Sequence, residues 1–488
     1  MQWDAALDAV RRRAWRGRAL GGVTEDTRRL ERDMVFVARR GLRTDGHQLL
    51  AAARDKGAAF TVGSRRVEAG LPDVLVPDSD AALARLVSAW YRDPGHGLVL
   101  VGVTGTNGKT TVAHLMAGIL KAAGFAVGTL GTLGYAFADD RRPATHTTPP
   151  PETLYRVLAG WREAGATHVV AEVSAQALSQ RRVAACRFRA AALTSFARDH
   201  GEYYADQACY RAAKEQLFRE AADVAVLPRD APDYPAFVAA ARCPIVTFGR
   251  GGMVDVHWLG GTLHTSTCRL CLPGLPSKHL TLRLPGSYNS RNAACAAALA
   301  WALGVRIDAI AQGLHGAQPP PGRATALGLP ERSAWAVVDY AHNPAALAAT
   351  LRWLRGAVNG RLHVVLGARG GRDADKRPLM GAVIAALADS AVFTADRPAP
   401  EDAEEAAAPL LQAARECGLP ARFVRDRSEA IAVAVAALRP GDCLLVTGKG
   451  TEPWAPGDGG GCRRSGEHRS DLTLLGELGA VTGDGTRP

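Results

Sequence analysis

The sequence predicts an α/β protein of three domains, the central one built on a doubly wound sheet. Three observations lead there. From about residue 98 onward, short apolar runs of strand length alternate with stretches of helical period, the pattern of a mostly parallel sheet with helices on both faces. A glycine-rich turn stands between the first of these runs and the helix after it. The segment Gln318-Pro319-Pro320-Pro321-Gly322 then interrupts the alternation before it resumes, since a proline run can continue neither a helix nor a central strand.

Each region reads in order. Residues 1–95 carry strand candidates at 35–38 and 59–62 and a helical run at 48–56. Asp93-Pro94-Gly95-His96-Gly97 is a linker. Residues 96–320 open with a buried-strand run at 98–103, then the turn, then a helix at 110–123 ended by Gly124. Further apolar runs fall at 168–173, 190–194 and 223–227, with a helix at 207–221. The stretch 245–285, rich in β-branched residues and glycine, reads as an antiparallel excursion, and a helix at 292–303 closes the region. Residues 321–488 repeat the alternation with strands at 334–340, 362–367, 391–394 and 443–447. The fold class is therefore α/β with a central doubly wound P-loop mononucleotide-binding sheet, a smaller Rossmann-like C-terminal domain and an α/β N-terminal domain.

Composition agrees. A chain of 488 residues suits about two to four domains. Its 47% hydrophobic and 22% charged residues allow large cores and exclude general disorder. The formal charge of +11 favours anionic partners such as nucleotides and phosphorylated metabolites. Because the charge is scattered arginine without interleaved aromatics, nucleic acid is not an expected partner. Nine dispersed cysteines do not form a disulfide framework. Cys268 and Cys271 make one CxxC, but zinc would need two more ligands nearby, so they read as strand cysteines. The N-terminus has no apolar signal core, and no run of about 18 apolar residues occurs. A cytoplasmic protein without membrane insertion is expected, and a monomer.

The strongest local signal is Gly102-Val103-Thr104-Gly105-Thr106-Asn107-Gly108-Lys109-Thr110-Thr111. It follows a strand and opens a helix, the setting in which glycines let backbone N–H groups face phosphate oxygens at a helix N-terminus. Lys109 can reach the outer phosphates and Thr110 can ligate Mg²⁺. Two residues separate Gly105 from Gly108, where the common loop has four. Metal ligands are then expected at the ends of neighbouring strands. Glu172 ends one apolar run, and the next leads to Arg198-Asp199-His200. A carboxylate with an imidazole suits Mg²⁺ or Mn²⁺.

These residues resemble the Mur ligase family, and within it the branch that makes UDP-N-acetylmuramoyl-tripeptide. The resemblance covers nearly the whole chain. Asp26-Thr27-Arg28, Val35-Phe36-Val37-Ala38, Asp45-Gly46-His47 and Gly57-Ala58 are similar to the family's uridine-binding domain. Thr145-His146-Thr147-Thr148-Pro149 resembles its sugar-peptide segment, with His146 where asparagine is usual. Glu172-Val173-Ser174-Ala175-Gln176 departs from Glu-Val-Ser-Ser-His at Ala175 and Gln176. Tyr210-Arg211-Ala212-Ala213-Lys214, Tyr288-Asn289 with Asn292, Gly322-Arg323, Asp339-Tyr340-Ala341-His342-Asn343-Pro344 and Gly370-Gly371-Arg372-Asp373 followed by Lys376-Arg377-Pro378 also match.

The resemblance implies an ATP- and Mg²⁺-dependent, ADP-forming ligase. It would join a free diamino acid to UDP-N-acetylmuramoyl-L-alanyl-D-glutamate through an acyl-phosphate, in peptidoglycan precursor synthesis. It implies nucleotide binding by Thr104, Gly105, Thr106, Asn107, Gly108, Lys109, Thr110, Thr111, Asn292 and Arg323. Substrate contacts fall to Thr27, Thr147, Thr148, Ser174, Gln180 and Arg182, and amino-acid contacts to Arg372, Asp396, Gly448 and Glu452. Metal ligation falls to Thr110, Glu172, His200 and Lys214, the last as a carbamate. Catalysis falls to Lys109, Glu172, Arg198, His200 and Lys214. Relatives that add meso-diaminopimelate carry Asp-Asn-Pro-Arg, whose arginine pairs with the distal carboxylate. Here the segment is Asp396-Arg397-Pro398-Ala399, which favours L-lysine or L-ornithine. Thr451, where histidine is usual in the diaminopimelate type, points the same way. A paralogue with another amino acid or acceptor, or a folylpolyglutamate-synthase-like ligase, is the alternative.

Overall fold

A computed structural model describes residues 1–41, 44–68, 70–371, 373–396, 401–452, 470–482 and 485. Among the described residues the chain forms three α/β units, each on its own sheet.

The first sheet has four parallel strands in the order Gly22–Thr24, Met34–Val37, Phe60–Gly63, Val74–Leu75. The helices Trp3–Arg12 and Ser79–Trp90 supply its apolar cover. The two outer strands, of three and two residues, are too short to leave a periodic signal in the sequence. The helical run expected at 48–56 divides into a 3₁₀ turn, Gly46–Leu49, and the helix Leu50–Asp55. Asp45 starts the turn by accepting a hydrogen bond from the His47 N–H.

The central sheet has eight strands in the order Asp140–Arg142, Gly134–Phe137, Val127–Gly131, His168–Glu172, Val99–Thr104, Phe188–Leu193, Ala225–Pro228, Ile245–Phe248. The last six are parallel, and the first two form an antiparallel extension. Strand Val99–Thr104 is buried along nearly its whole length. Leu100 enters one core, while Val101 and Val103 enter the core on the other face, as a parallel strand covered on both sides requires. Its neighbours are His168–Glu172 and Phe188–Leu193, so the loops after Thr104, Glu172 and Leu193 emerge side by side at the carboxyl edge. The helix expected at 207–221 is α-helical over Gln207–Gln216 and continues as a π turn, Leu217–Ala221.

The excursion forms a separate antiparallel sheet of Asp255–Gly261, Ser266–Cys271 and Lys278–Leu282. Cys268 and Cys271 both lie on its middle strand, and no group of three or more His, Cys, Asp or Glu side chains that could hold a metal occurs among the described residues. The helix Ser287–Ala302 starts five residues before its expected position, putting Asn289 and Asn292 in its first turns.

The third sheet has six strands in the order Thr325–Leu329, Ala334–Asp339, Cys443–Thr447, Leu362–Ala368, Ser390–Ala395, Ala421–Phe423. Thr325–Leu329 is antiparallel and the other five are parallel. No helix among the described residues is long and apolar enough to cross a membrane.

The helix that follows the phosphate loop, Lys109–Ala122, is fixed from behind by Ile307–Gly316. Gly313 makes this approach possible, since a Cβ there would lie 2.4 Å from the Ile119 Cα. Gly313→Ala is therefore expected to cost about 1–3 kcal/mol, read as a lower urea midpoint. Gly316→Ala, with nothing within 4 Å of its Cβ, is expected to change stability by less than about 0.5 kcal/mol.

Candidate active site

The turn between Thr104 and Lys109 is shaped by what closes on it. Gly105 and Gly108 have φ of +146° and +87°, the left-handed side that glycine tolerates. A Cβ on Gly105 would meet the Thr194 hydroxyl at 2.0 Å, and one on Gly108 would meet Asn292 Oδ1 at 2.5 Å. The end of the adjacent strand then pins the loop. The Thr106 N–H donates to the Ser195 carbonyl at 2.9 Å and the Asn107 N–H to Ser195 Oγ at 3.0 Å, while the Thr194 hydroxyl donates to the Asn107 carbonyl. Thr104 and Thr111 are buried behind the loop. Lys109 Nζ donates to the carbonyls of Gly105 at 2.8 Å and Thr106 at 3.0 Å. Burial lowers its pKa, with the nearby Glu172 and Asp199 charges acting in the opposite direction.

Glu172 ends its strand 2% exposed, and its carboxylate is filled with donors. Thr110 Oγ1 reaches Oε2 at 3.0 Å, Thr132 Oγ1 reaches the same oxygen at 3.1 Å, and the Thr132 N–H reaches Oε1 at 2.9 Å. Arg323 Nη2 donates to Thr110 Oγ1 at 3.3 Å and stacks 4.2 Å from the Tyr340 ring centre. The two residues expected to bind nucleotide from opposite sides of the 320 boundary therefore meet.

His200 sits at φ +61°, and its Nδ1 is buried without a hydrogen-bond partner. Glu202 Oε1 is 3.5 Å away. Lys214 is 1% exposed and lies 4.5 Å over the Tyr210 ring, whose hydroxyl is 3.2 Å from Thr106 Oγ1. Burial first, and the Lys109 charge second, push the Lys214 pKa well below the ordinary lysine value, with Asp199 opposing. An amine that loses its proton easily is what carbamate formation requires.

The expected substrate segment is contiguous with this rim. Thr148 Oγ1 donates to the Glu172 carbonyl at 2.8 Å, and Thr147 Oγ1 lies 3.2 Å from Thr132 Oγ1. Ser174 caps the helix Ala175–Ser179, and its N–H donates to Thr148 Oγ1 at 3.0 Å. Arg182 donates to the Thr148 carbonyl at 2.6 Å and through two nitrogens to Gln180 Oε1. Thr27 stands apart, its carbonyl taking Lys56 Nζ at 2.8 Å. Its neighbours Thr24 and Arg29 donate to Glu152 at 2.9 and 2.6 Å, joining the first unit to the helix Pro151–Glu163.

Other expected site residues are engaged with protein groups. Arg198 Nη2 pairs with Asp375 Oδ2 at 2.6 Å. Asp396 is buried 3.5 Å from Lys449 Nζ, and Glu452 Oε1 accepts from the Tyr340 hydroxyl at 2.6 Å. Gly448 has φ +105°. Arg372, Arg397 and Ala399 lie outside the described residues. Glu401, close in sequence to Arg397 and Ala399, accepts both terminal nitrogens of Arg377.

The structure gives contacts to residues for which the sequence suggested no role, Asn343 and Lys376 among the matched motifs and Thr132 outside them. Thr132 follows a strand end in a turn without a motif. Asn343 is the N-cap of Pro344–Ala357 with proline at the first position, a recognisable helix start that says nothing of a contact with the loop. Lys376 reaches Asp199 Oδ1 at 3.0 Å across 177 residues of sequence.

The Mur ligase middle domain matches residues 103–300, and the Mur ligase glutamate ligase domain matches residues 322–450. A UDP-N-acetylmuramoyl-L-alanyl-D-glutamate–2,6-diaminopimelate ligase of Geobacter metallireducens is 36% identical over 467 residues, covering 89% of this chain and 90% of the relative. The protein of the same name from Streptomyces coelicolor is 34% identical over 449 residues, 88% of each chain. A solved structure of a ligase of that name superposes with a TM-score of 0.66 at 26% identity over 95% of both chains. A MurF ligase of Thermotoga maritima in complex with ADP has the same fold, with a TM-score of 0.62 at 19% identity over 87% of this chain and 93% of its own. With the phosphate loop, the Glu172 rim and the Arg323 approach all inside the matched span, the chain belongs to the Mur ligase family of ATP-dependent, ADP-forming amide ligases.

Proposed function

We propose that this ligase adds a diamino acid to UDP-N-acetylmuramoyl-L-alanyl-D-glutamate in peptidoglycan precursor synthesis. The observation that carries the reading is the convergence of Lys109, Thr110 and the buried Glu172 carboxylate at one strand-end rim, with Arg323 approaching from the third unit. The named relatives act on that UDP-linked dipeptide.

A carboxylate does not react with an amine at neutral pH because its leaving group is too poor. In this reading the dipeptide carboxylate attacks the γ-phosphorus of ATP, ADP leaves, and an acyl-phosphate forms. The amine then attacks the acyl carbon, and phosphate departs from the tetrahedral intermediate. Lys109 would stabilise charge growing on the transferred group, a contact typically worth about 3–4 kcal/mol in the transition state. Arg198, on the rim beside His200, is assigned the same task. We assign UDP binding to residues 1–95 through Thr27, ATP binding to 96–320, and the amino acid to 321–488. Thr147, Thr148, Ser174, Gln180 and Arg182 are assigned to the sugar-peptide. Arg372, Asp396, Gly448 and Glu452 are assigned to the amino acid.

The donor set fits Mg²⁺. His200 offers a buried Nδ1 without a hydrogen-bond partner, 3.5 Å from Glu202 Oε1, and Glu172 and Thr110 offer hard oxygens. Lys214 fits only as a carbamate, formed when its neutral amine takes CO₂ and releases a proton. Thr110, Glu172, His200 and the Lys214 carbamate would hold the ion, which neutralises charge on the β- and γ-phosphoryl oxygens when bound.

For the amino acid, Ala399 in place of arginine supports L-lysine or L-ornithine. The names of the relatives support meso-diaminopimelate as the second reading. Asp396 and Glu452, the acids assigned to a distal ammonium, face Lys449 at 3.5 Å and the Tyr340 hydroxyl at 2.6 Å, so a basic side chain would share these carboxylates with those groups.

Phosphate release with UDP-N-acetylmuramoyl-L-alanyl-D-glutamate and each diamino acid tests both levels. Turnover with lysine or ornithine is expected. Turnover with meso-diaminopimelate alone would overturn the Ala399 argument, and none with any amino acid would overturn the function.

Lys214 gives a pH test. Its folded pKa is depressed, so between that lowered value and the ordinary lysine value, about 10.4, the unfolded state binds more protons and stability rises with pH. In CO₂-free buffer, Lys214→Met is expected to be more stable than the parent at pH 7, the gap closing toward pH 10. A gap constant across that range would contradict the assignment of a neutral buried amine.

A further inference from the structure

Asn343 is 0% exposed and spends its whole side-chain amide on three partners in two units. Its Oδ1 accepts from the Ala346 N–H at 3.0 Å, capping its helix, and from Asn107 Nδ2 at 3.2 Å. Its Nδ2 donates to Asn107 Oδ1 at 2.8 Å and to Asp199 Oδ2 at 3.3 Å. The cap demands an acceptor and the carboxylate demands a donor, so the amide has one orientation that satisfies both. That orientation leaves one face of the amide to pair reciprocally with Asn107, inside the phosphate loop.

Asp199 is in turn held from the third unit. Lys376 Nζ lies 3.0 Å from Oδ1 and His342 Nε2 lies 3.4 Å from Oδ2, while the His200 N–H donates to Oδ1 at 3.0 Å.

We propose that Asn343 is a positioning residue for the phosphate loop, clamped by Asp199, so that docking of the third unit sets the orientation of the Asn107 side chain. The proposal deepens the reading of this loop as the nucleotide site. Docking and loop shape become one event, because Asn107 loses both of these side-chain hydrogen bonds when Asn343 withdraws. Preorganisation of this kind appears in ligand affinity.

The test is a double-mutant cycle in the full chain. Asn343→Ser keeps an N-cap of equal quality but is too short to reach Asn107, so melting is expected to stay within a few degrees. Affinity for the ATP analogue AMPPCP, by calorimetry, is expected to weaken about tenfold, within the usual range of pair couplings. Hydrogen exchange at the amides of residues 105–108 is expected to quicken. Asp199→Asn is expected to weaken binding similarly in the parent and to add nothing in the Asn343→Ser background. Effects that multiply, or an Asn343→Ser protein within twofold of the parent in affinity and loop exchange, would overturn the relay. If Asn343→Ser does not fold, the cycle of Asp199→Asn with Asn107→Ser reads the same coupling. A parent protein that fails to bind AMPPCP would overturn the nucleotide reading, while loop exchange, measured without nucleotide, would still decide the relay.

Discussion

The site depends on one buried carboxylate. Glu172 ends a strand covered on both faces, beside the strand that feeds the phosphate loop. A charge in that position is tolerable only when its oxygens are filled, and a buried polar group left without partners costs about 1–3 kcal/mol. Thr110 and both polar groups of Thr132 supply the donors. Thr110 opens the helix after the loop and Thr132 follows the strand on the far side of Glu172, so the carboxylate ties three consecutive segments of the carboxyl edge together. The loop, the helix start, Thr147 and Thr148 are thereby placed relative to one another before any ligand enters.

Charge around this centre is arranged in the same way. Burial disfavours the proton on both Lys109 and Lys214, and the Lys109 charge adds to burial in disfavouring the Lys214 proton. Asp199 is the anion between these lysines and the cations of the third unit. Arg323 adds a guanidinium at Thr110 from across the Pro319–Pro321 boundary. A triphosphate fits a loop flanked by the Lys109 and Arg323 cations better than a neutral ligand does.

The strand–turn–helix unit was legible because three independent signals coincide at residues 98–123: an apolar run, glycines at fixed spacing, and a helical period. Glu172 was legible from its place at the end of an apolar run. Short outer strands such as Val74–Leu75 and Ala421–Phe423 were not, since two or three residues carry no period. The contacts between units were not legible either. Asn107 with Asn343 spans 236 residues and Lys376 with Asp199 spans 177, and no local pattern reports partners so far apart. Arg198 illustrates the same limit, since its motif marks the rim but not its pairing with Asp375. The family likeness supplied what periodicity could not, including Lys214 and Arg323, whose residue types alone read as ordinary surface groups.

In the proposed function Glu172 is the group through which a divalent cation would join the triphosphate to the sheet edge. Calorimetric titration of ATP, with and without Mg²⁺, into the parent and into Glu172→Gln tests it most directly. The expected result is at least about tenfold tighter binding with Mg²⁺ in the parent, and no Mg²⁺ dependence in the variant. A Glu172→Gln protein that keeps the parent's full Mg²⁺ dependence would contradict the account.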